Sequence, residues 1–181
     1  CNIANKTLNL LHYLNKNYSF SHWDLHPGNI FVNTNNLDNI KIYDFDYSEI
    51  QNINPSVSKN NLFIDTINNY VAHQYYSGDI DDPSVIFDIF EVIRISDGSR
   101  RRKYGMIFDI YRVLFTFVTQ NTCDDDIKEL FNIYHSILKL YETELEGINN
   151  YTKYFLNHIV VAYHAVKDIQ YYNKIVSKFK Q

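Results

Sequence analysis

Residues 104–119 constrain the fold more than any other stretch. Met106, Ile107, Phe108, Ile110, Val113, Leu114, Phe115, Phe117 and Val118 leave almost no polar face at helical spacing. Such a helix must be covered on all sides, so it predicts the buried axis of a domain with further elements packed round it. Asp109 sits midway along it, and a carboxyl group there needs hydrogen-bond donors to offset its desolvation. At 181 residues the chain is long enough to build that cover. Its 45% apolar and 16% aromatic content excludes disorder as the main state.

The rest of the chain divides by periodicity. Residues 3–15 predict a helix with Ile3, Leu8, Leu11 and Leu14 roughly on one face. Residues 18–24 read as a short strand that breaks at Pro27-Gly28. Ile30–Val32 and Ile40–Tyr43 read as two strands of a hairpin, with residues 33–39 as its polar turn. Residues 46–60 are loop-like, and 61–76 and 84–95 are helical, the latter with Asp82 as N-cap and Pro83 at its first position. Residues 96–103 read as an exposed basic loop. Its run Arg100-Arg101-Arg102-Lys103 is either a solvated charge run or a holder of an acidic ligand. Asp124, Asp125 and Asp126 open another helix, Gly147 separates it from the next, and the last covers 169–179. The expected fold class is therefore α+β, mainly α-helical, with a small β-hairpin patch.

Chemistry concentrates in Ser21-His22-Trp23-Asp24-Leu25-His26-Pro27-Gly28-Asn29 and, shortly after, Tyr43-Asp44-Phe45-Asp46. Asp24 stands at a strand end just before a break, so its carboxylate can project into a cleft. Asn29 follows the turn and can point back to the same place, and Asp44 ends the second hairpin strand. An amide oxygen and a carboxylate, Asn29 and Asp44, suit a hard divalent cation such as Mg²⁺. Mg²⁺ held by so few protein ligands usually serves phosphate chemistry, which leaves Asp24 to orient or deprotonate a hydroxyl. His22, Asp24 and His26 alternate and could also face one side as a transition-metal site, but no further Cys/His cluster is near. His22 reads better as a structural histidine bonded to backbone beside the loop.

His-Trp-Asp-Leu-His-Pro-Gly-Asn at 22–29 resembles the catalytic loop of protein kinases, and Asp44-Phe45-Asp46 resembles their Asp-Phe-Gly metal motif. The wording Leu-His-Pro-Gly-Asn is closer to atypical and small-molecule kinases, such as the aminoglycoside phosphotransferase and ABC1 groups, and to haspin-like kinases. Phe108-Asp109-Ile110-Tyr111-Arg112 also looks like the haspin form of the central-helix motif. The resemblance covers about residues 3–119 and implies a protein-kinase-like C-terminal lobe over 1–181. It implies ATP and Mg²⁺ as cofactors, Asp24 as catalytic base, and Asn29 and Asp44 as the ligands of the metal and nucleotide. His26 would stand for the lysine beside the transferred phosphate. Asp109 would be a structural anchor, with His22, by accepting backbone N–H groups of the catalytic loop.

Four departures qualify the resemblance. Trp23 replaces the arginine that in many protein kinases clamps a phosphorylated activation loop, and Asp46 replaces the motif glycine. No Ala-Pro-Glu follows the metal motif. No Gly-rich loop, strand lysine or helix glutamate precedes residue 1, so the N-lobe half of a nucleotide site is expected outside these residues. The expected activity is phosphoryl transfer to a hydroxyl, on a protein Ser/Thr in the full-length protein. A small-molecule kinase of the aminoglycoside or choline type and a pseudokinase binding module remain as alternatives.

The remaining expectations come from charge and usage. A net charge of −4 argues against a nucleic-acid partner. No run approaches ~18 apolar residues, so no membrane partner is expected. Cys1 and Cys123 cannot build a disulfide framework, which favours a reducing compartment. The 22 Asn and 22 Ile point to an A/T-rich genome, such as that of a large DNA virus or a protist. The expected location is the cytoplasm, that of the host if the source is viral.

Overall fold

Helix α4 (Gly98–Phe117) is the axis of the domain in this computed structural model, which describes residues 2–33, 35–50, 62–117, 124–148 and 150–179. Every residue from Tyr104 to Leu114 on it is buried, including Asp109 and Arg112. The cover that the apolar pattern demands comes from α1 (Asn2–Tyr18), α5 (Asp125–Tyr141) and α6 (Asn150–Lys167), all packed on α4. Helices α2 (Leu62–Tyr76) and α3 (Ser84–Ile95) pack on each other, and α7 (Ile169–Ser177) on α5 and α6. One apolar core runs from Ala4 to Phe179.

The β-structure is two small antiparallel pairs. Strands β1 (Phe20–Ser21) and β4 (Glu49–Ile50) pair Phe20 with Ile50 and Ser21 with Glu49. Strands β2 (Ile30–Asn33) and β3 (Asn36–Ile42) form the hairpin, with Ile30 opposite Ile42 and an irregularity after Val32. The fold is thus mainly helical with a small β-patch, as the periodicity predicts.

Several boundaries differ from the sequence reading, each for a physical reason. The strand expected over 18–24 contracts to Phe20–Ser21, because Ser19 and Trp23 take positive φ of 53° and 65° and turn the chain out of the extended region. His22, Asp24 and His26 therefore do not alternate along one strand face. The hairpin turn is tighter than 33–39, since β3 already starts at Asn36, which pairs with Asn33 beyond the irregularity. Pro83 occupies the cap position of α3 rather than its first turn, while the Asp82 carboxylate still accepts the Ser84 amide at 3.0 Å. Residues 51–61 and 118–123 lie outside the described residues, and with them most of the expected 46–60 loop and the end of the apolar run.

The basic loop is the largest correction. Residues 98–103 are the first turns of α4, where the Asp97 carboxylate accepts the Arg100 amide at 2.9 Å. Arg101 turns inward, 7% exposed, donating to the Arg94 and Ser96 carbonyls and facing Glu49 at 3.7 Å. Arg102 donates to Ser19 Oγ at 3.1 Å, and the Lys103 ammonium sits over the Tyr172 ring. The run is neither a loop nor, at Arg101, solvated.

Gly105 lets α4 approach β1. A Cβ there would collide with Ser21 Oγ and Cβ and lie 3.1 Å from Trp23 Cε2. Alanine would gain roughly 1 kcal/mol in helix propensity, but Ser21 is held by strand pairing and cannot retreat. Gly105→Ala should therefore destabilise the fold by about 1–3 kcal/mol, measured as a lower urea midpoint. A stabilised variant would show that the approach is not tight.

His158 on α6 is wholly buried among the rings of Phe108, Phe115, Tyr134 and Tyr154, with neither ring nitrogen hydrogen-bonded among the described residues. Burial, helped by the Arg112 charge, lowers its pKa to about 3. A depressed value means that the unfolded chain takes up the proton first. The stability that neutral His158 confers is present above about pH 6.5 and is lost as pH falls toward 3. His158→Phe should remove that slope and gain about 2 kcal/mol on the parent at pH 5 relative to pH 7.5. Denaturant melts at the two pH values read the difference, and an unchanged slope would refute it.

Candidate active site

One turn beyond Gly105, on the same face of α4, Asp109 meets the chain leaving β1. Its Oδ2 accepts the His22 amide at 2.7 Å and its Oδ1 accepts the Trp23 amide at 2.9 Å. Both carboxyl oxygens are thus used on consecutive backbone N–H groups. Burial raises the Asp109 pKa to about 7, against the pull of the two amides and of Arg112.

Those two bonds hold Trp23 in its left-handed conformation, which costs a bulky residue about 1–3 kcal/mol. Its side chain offsets the strain. The ring is wholly buried, stacks on Phe63 and lies 5.5 Å from Phe108, and its Nε1–H donates to Glu49 at 3.3 Å. Glu49 also faces Arg101, so β4 and the start of α4 are tied to the same turn.

Asp24 comes next, its side chain 24% exposed, and the following loop folds back beneath it. The Asp24 carbonyl accepts the His26 amide at 2.9 Å and Asn29 Nδ2 at 3.0 Å. That second bond turns the Asn29 carboxamide oxygen away from the Asp24 backbone. His26 Nδ1 accepts the Gly28 amide at 3.1 Å, which leaves Nε2 to carry the ring proton as a donor. Gly28 permits this, because a Cβ there would lie 2.8 Å from His26 Cε1.

His22 joins this loop to the hairpin. Its Nδ1 accepts the Asp24 amide at 3.4 Å, so its Nε2–H donates to the Tyr43 carbonyl at 2.8 Å. The Tyr43 amide in turn donates to the Asn29 carbonyl at 2.9 Å. Burial lowers the His22 pKa, keeping the ring neutral in this bridging form. Asp44 follows Tyr43 with a positive φ of 59° and an exposed side chain. Burial raises the Asp24 pKa, opposed by His26, Arg112 and His22 and reinforced by Asp44.

Asp24, Asn29 and Asp44 thus sit on one continuous hydrogen-bonded frame, with His26 beside them and His22 and Asp109 underneath. Among the described residues no group of three or more His, Cys, Asp or Glu side chains is arranged to hold a metal. Asn29 and Asp44 offer two hard oxygen donors, a set that fits Mg²⁺ only when a substrate and water complete the shell. A cavity of about 1130 Å³ between α1, α5 and α7 shares no lining residue with this site. No helix among the described residues is long and apolar enough to cross a membrane.

Gly105 and Glu49 support the frame although the sequence does not single them out, while Arg101 and Arg112 stand out in it only as part of the basic run and of the central-helix segment. A lone glycine in a helical pattern does signal a close approach, and Arg112 is the next charge after Asp109 on the apolar helix. Glu49 carried no signal, since its partner Trp23 is remote in sequence. No family model, curated protein or solved structure matches the chain.

Asp109→Asn should loosen the frame, because the new NH₂ group must face one of the two backbone donors. Hydrogen exchange at the His22 and Trp23 amides should speed up. The stability cost should be about 1–3 kcal/mol near pH 5. It should shrink toward pH 7.5. A raised folded-state pKa means that the parent loses stability as pH rises from about 4 to about 7, while the Asn variant has no such proton to lose. A cost that grows with pH would contradict the buried, raised carboxyl.

Proposed function

We propose that this chain is the C-terminal lobe of a protein-kinase-like phosphotransferase that moves a phosphoryl group from ATP to a hydroxyl. One observation carries the reading. A carboxyl group from the central helix accepts both amides of the strained turn that presents Asp24, and His22 ties that turn to the backbone that presents Asp44. A loop braced this heavily, at a cost in strain and buried polarity, argues for a fixed chemical task at its exposed carboxylates.

In this reading Asp24 accepts the proton of the acceptor hydroxyl. Its raised pKa brings it nearer neutrality, where a general base is most effective. His26 offers Nε2–H to a phosphoryl oxygen, its ring held by Gly28. Asn29 and Asp44 would hold Mg²⁺, which when bound neutralises phosphate charge and aligns the transferred group. The N-lobe half of the nucleotide site would come from outside these residues. The acceptor we propose is a protein Ser/Thr hydroxyl. The basic segment at 100–103 does not argue for it, because Arg101 and Arg102 are engaged within the fold, and helices α2 and α3 would offer the surface for an acceptor.

Titration of ATP into the full-length protein with and without Mg²⁺ tests the reading. Binding should require Mg²⁺ and weaken in Asp44→Ala. Asp24→Asn should keep that binding and lose about 10²–10⁴-fold in transfer rate. Metal-independent binding, or full binding without transfer in the parent, would make the protein a binding module instead.

A further inference from the structure

Arg112 lies one helical turn beyond Asp109 and is buried, its side chain 5% exposed. A guanidinium cannot shed its charge, and desolvating it costs several kcal/mol unless partners replace the water. Two aromatic faces supply part of the replacement, with Tyr154 at 5.4 Å and Phe155 at 5.2 Å. His158, also near, is neutral and supplies no charge. The carboxyl groups that face Arg112 are Asp109 and Asp24, and its Nη2 stands 3.9 Å from Asp24 Oδ1.

We propose that Arg112 is a positioning residue that holds the Asp24 carboxylate from the protein side, so that Asp24 presents one oxygen outward to the acceptor. The proposal rests on the phosphotransferase reading above and deepens it. Helix α4 then mounts the loop at two points, with Asp109 fixing its backbone and Arg112 its side chain. The separation of 3.9 Å is longer than a hydrogen bond. The charge therefore orients the carboxylate without occupying the lone pairs that must receive a proton. Arg112 is too deep to meet the acceptor itself, which separates its role from that of a catalytic residue.

A thermodynamic cycle on the full-length protein tests the pairing without any appeal to activity. Stability is measured for the parent, Asp24→Asn, Arg112→Met and the double variant. Asp24→Asn should shift the folding equilibrium about fivefold more in the parent than beside Arg112→Met, because only in the parent does it strand a buried cation. Equal costs in both backgrounds would mean that Arg112 merely packs on Tyr154 and Phe155, and would overturn the proposal. If Arg112→Met does not fold, the same cycle with Arg112→Lys decides, since the shorter side chain keeps the packing stem but draws its charge back from Asp24 and should lose part of the coupling, and an undiminished coupling would overturn the proposal.

Turnover then separates positioning from stability. Arg112→Met should lower kcat about tenfold or more while the KM for ATP stays nearly unchanged, and Arg112→Lys should recover part of kcat. A parent that turns over, with Arg112→Met matching it, overturns this proposal alone. A parent that binds Mg·ATP and never transfers overturns the phosphotransferase reading, and this role falls with it.

Discussion

The pair of hydrogen bonds from the His22 and Trp23 amides to Asp109 is the contact on which the site depends. It joins the most deeply buried helix to the most strained turn. Without an acceptor, two buried N–H groups would be orphaned and the positive φ of Trp23 would have nothing to hold it. With it, the chain leaves β1 at a fixed angle and Asp24 reaches the surface at one place. A carboxyl group is the side chain suited to this, because its two oxygens match the spacing of consecutive amides.

Everything around that contact serves to make it possible. Gly105 removes the side chain that would keep α4 away from Ser21. Glu49 gives the Trp23 indole an acceptor and, through Arg101, secures β4 against α4. His22 carries the order onward to Tyr43 and Asp44. The network is polar and largely buried, and each member satisfies another. It is therefore rigid, but vulnerable to the loss of any one partner. A binding module could use such rigidity too. What favours phosphoryl transfer is that the network presents two carboxylates, Asp24 and Asp44, with the buried Asn29 amide between them, the groups that phosphate chemistry with a hard cation requires.

The basic segment at 100–103 teaches a separate lesson. Four consecutive cations suggest a solvated or ligand-binding face, yet on a helix successive residues point in different directions. Arg101 falls on the buried side and finds Glu49 and two carbonyls, while Arg102 finds Ser19. Charge runs read as a block lose their meaning once the backbone is helical.

Local pattern alone determined a good deal of this protein. The apolar run at 104–119 required a buried axis, the short apolar stretches at 30–32 and 40–43 about a polar turn predicted a hairpin, and the order of Asp24, Asn29 and Asp44 marked where polar groups with a common chemistry cluster. Periodicity and turn residues report these because they act over a few neighbours. The tertiary structure alone decided which partners those groups meet. Trp23 stands out in sequence only as a replacement for an arginine, but its left-handed backbone is held by Asp109, 86 positions away. Arg112 is one more charge on a helix until folding brings it 3.9 Å from Asp24. Desolvation and charge pairing depend on distance in space, and the spacing of residues along a chain carries no measure of that.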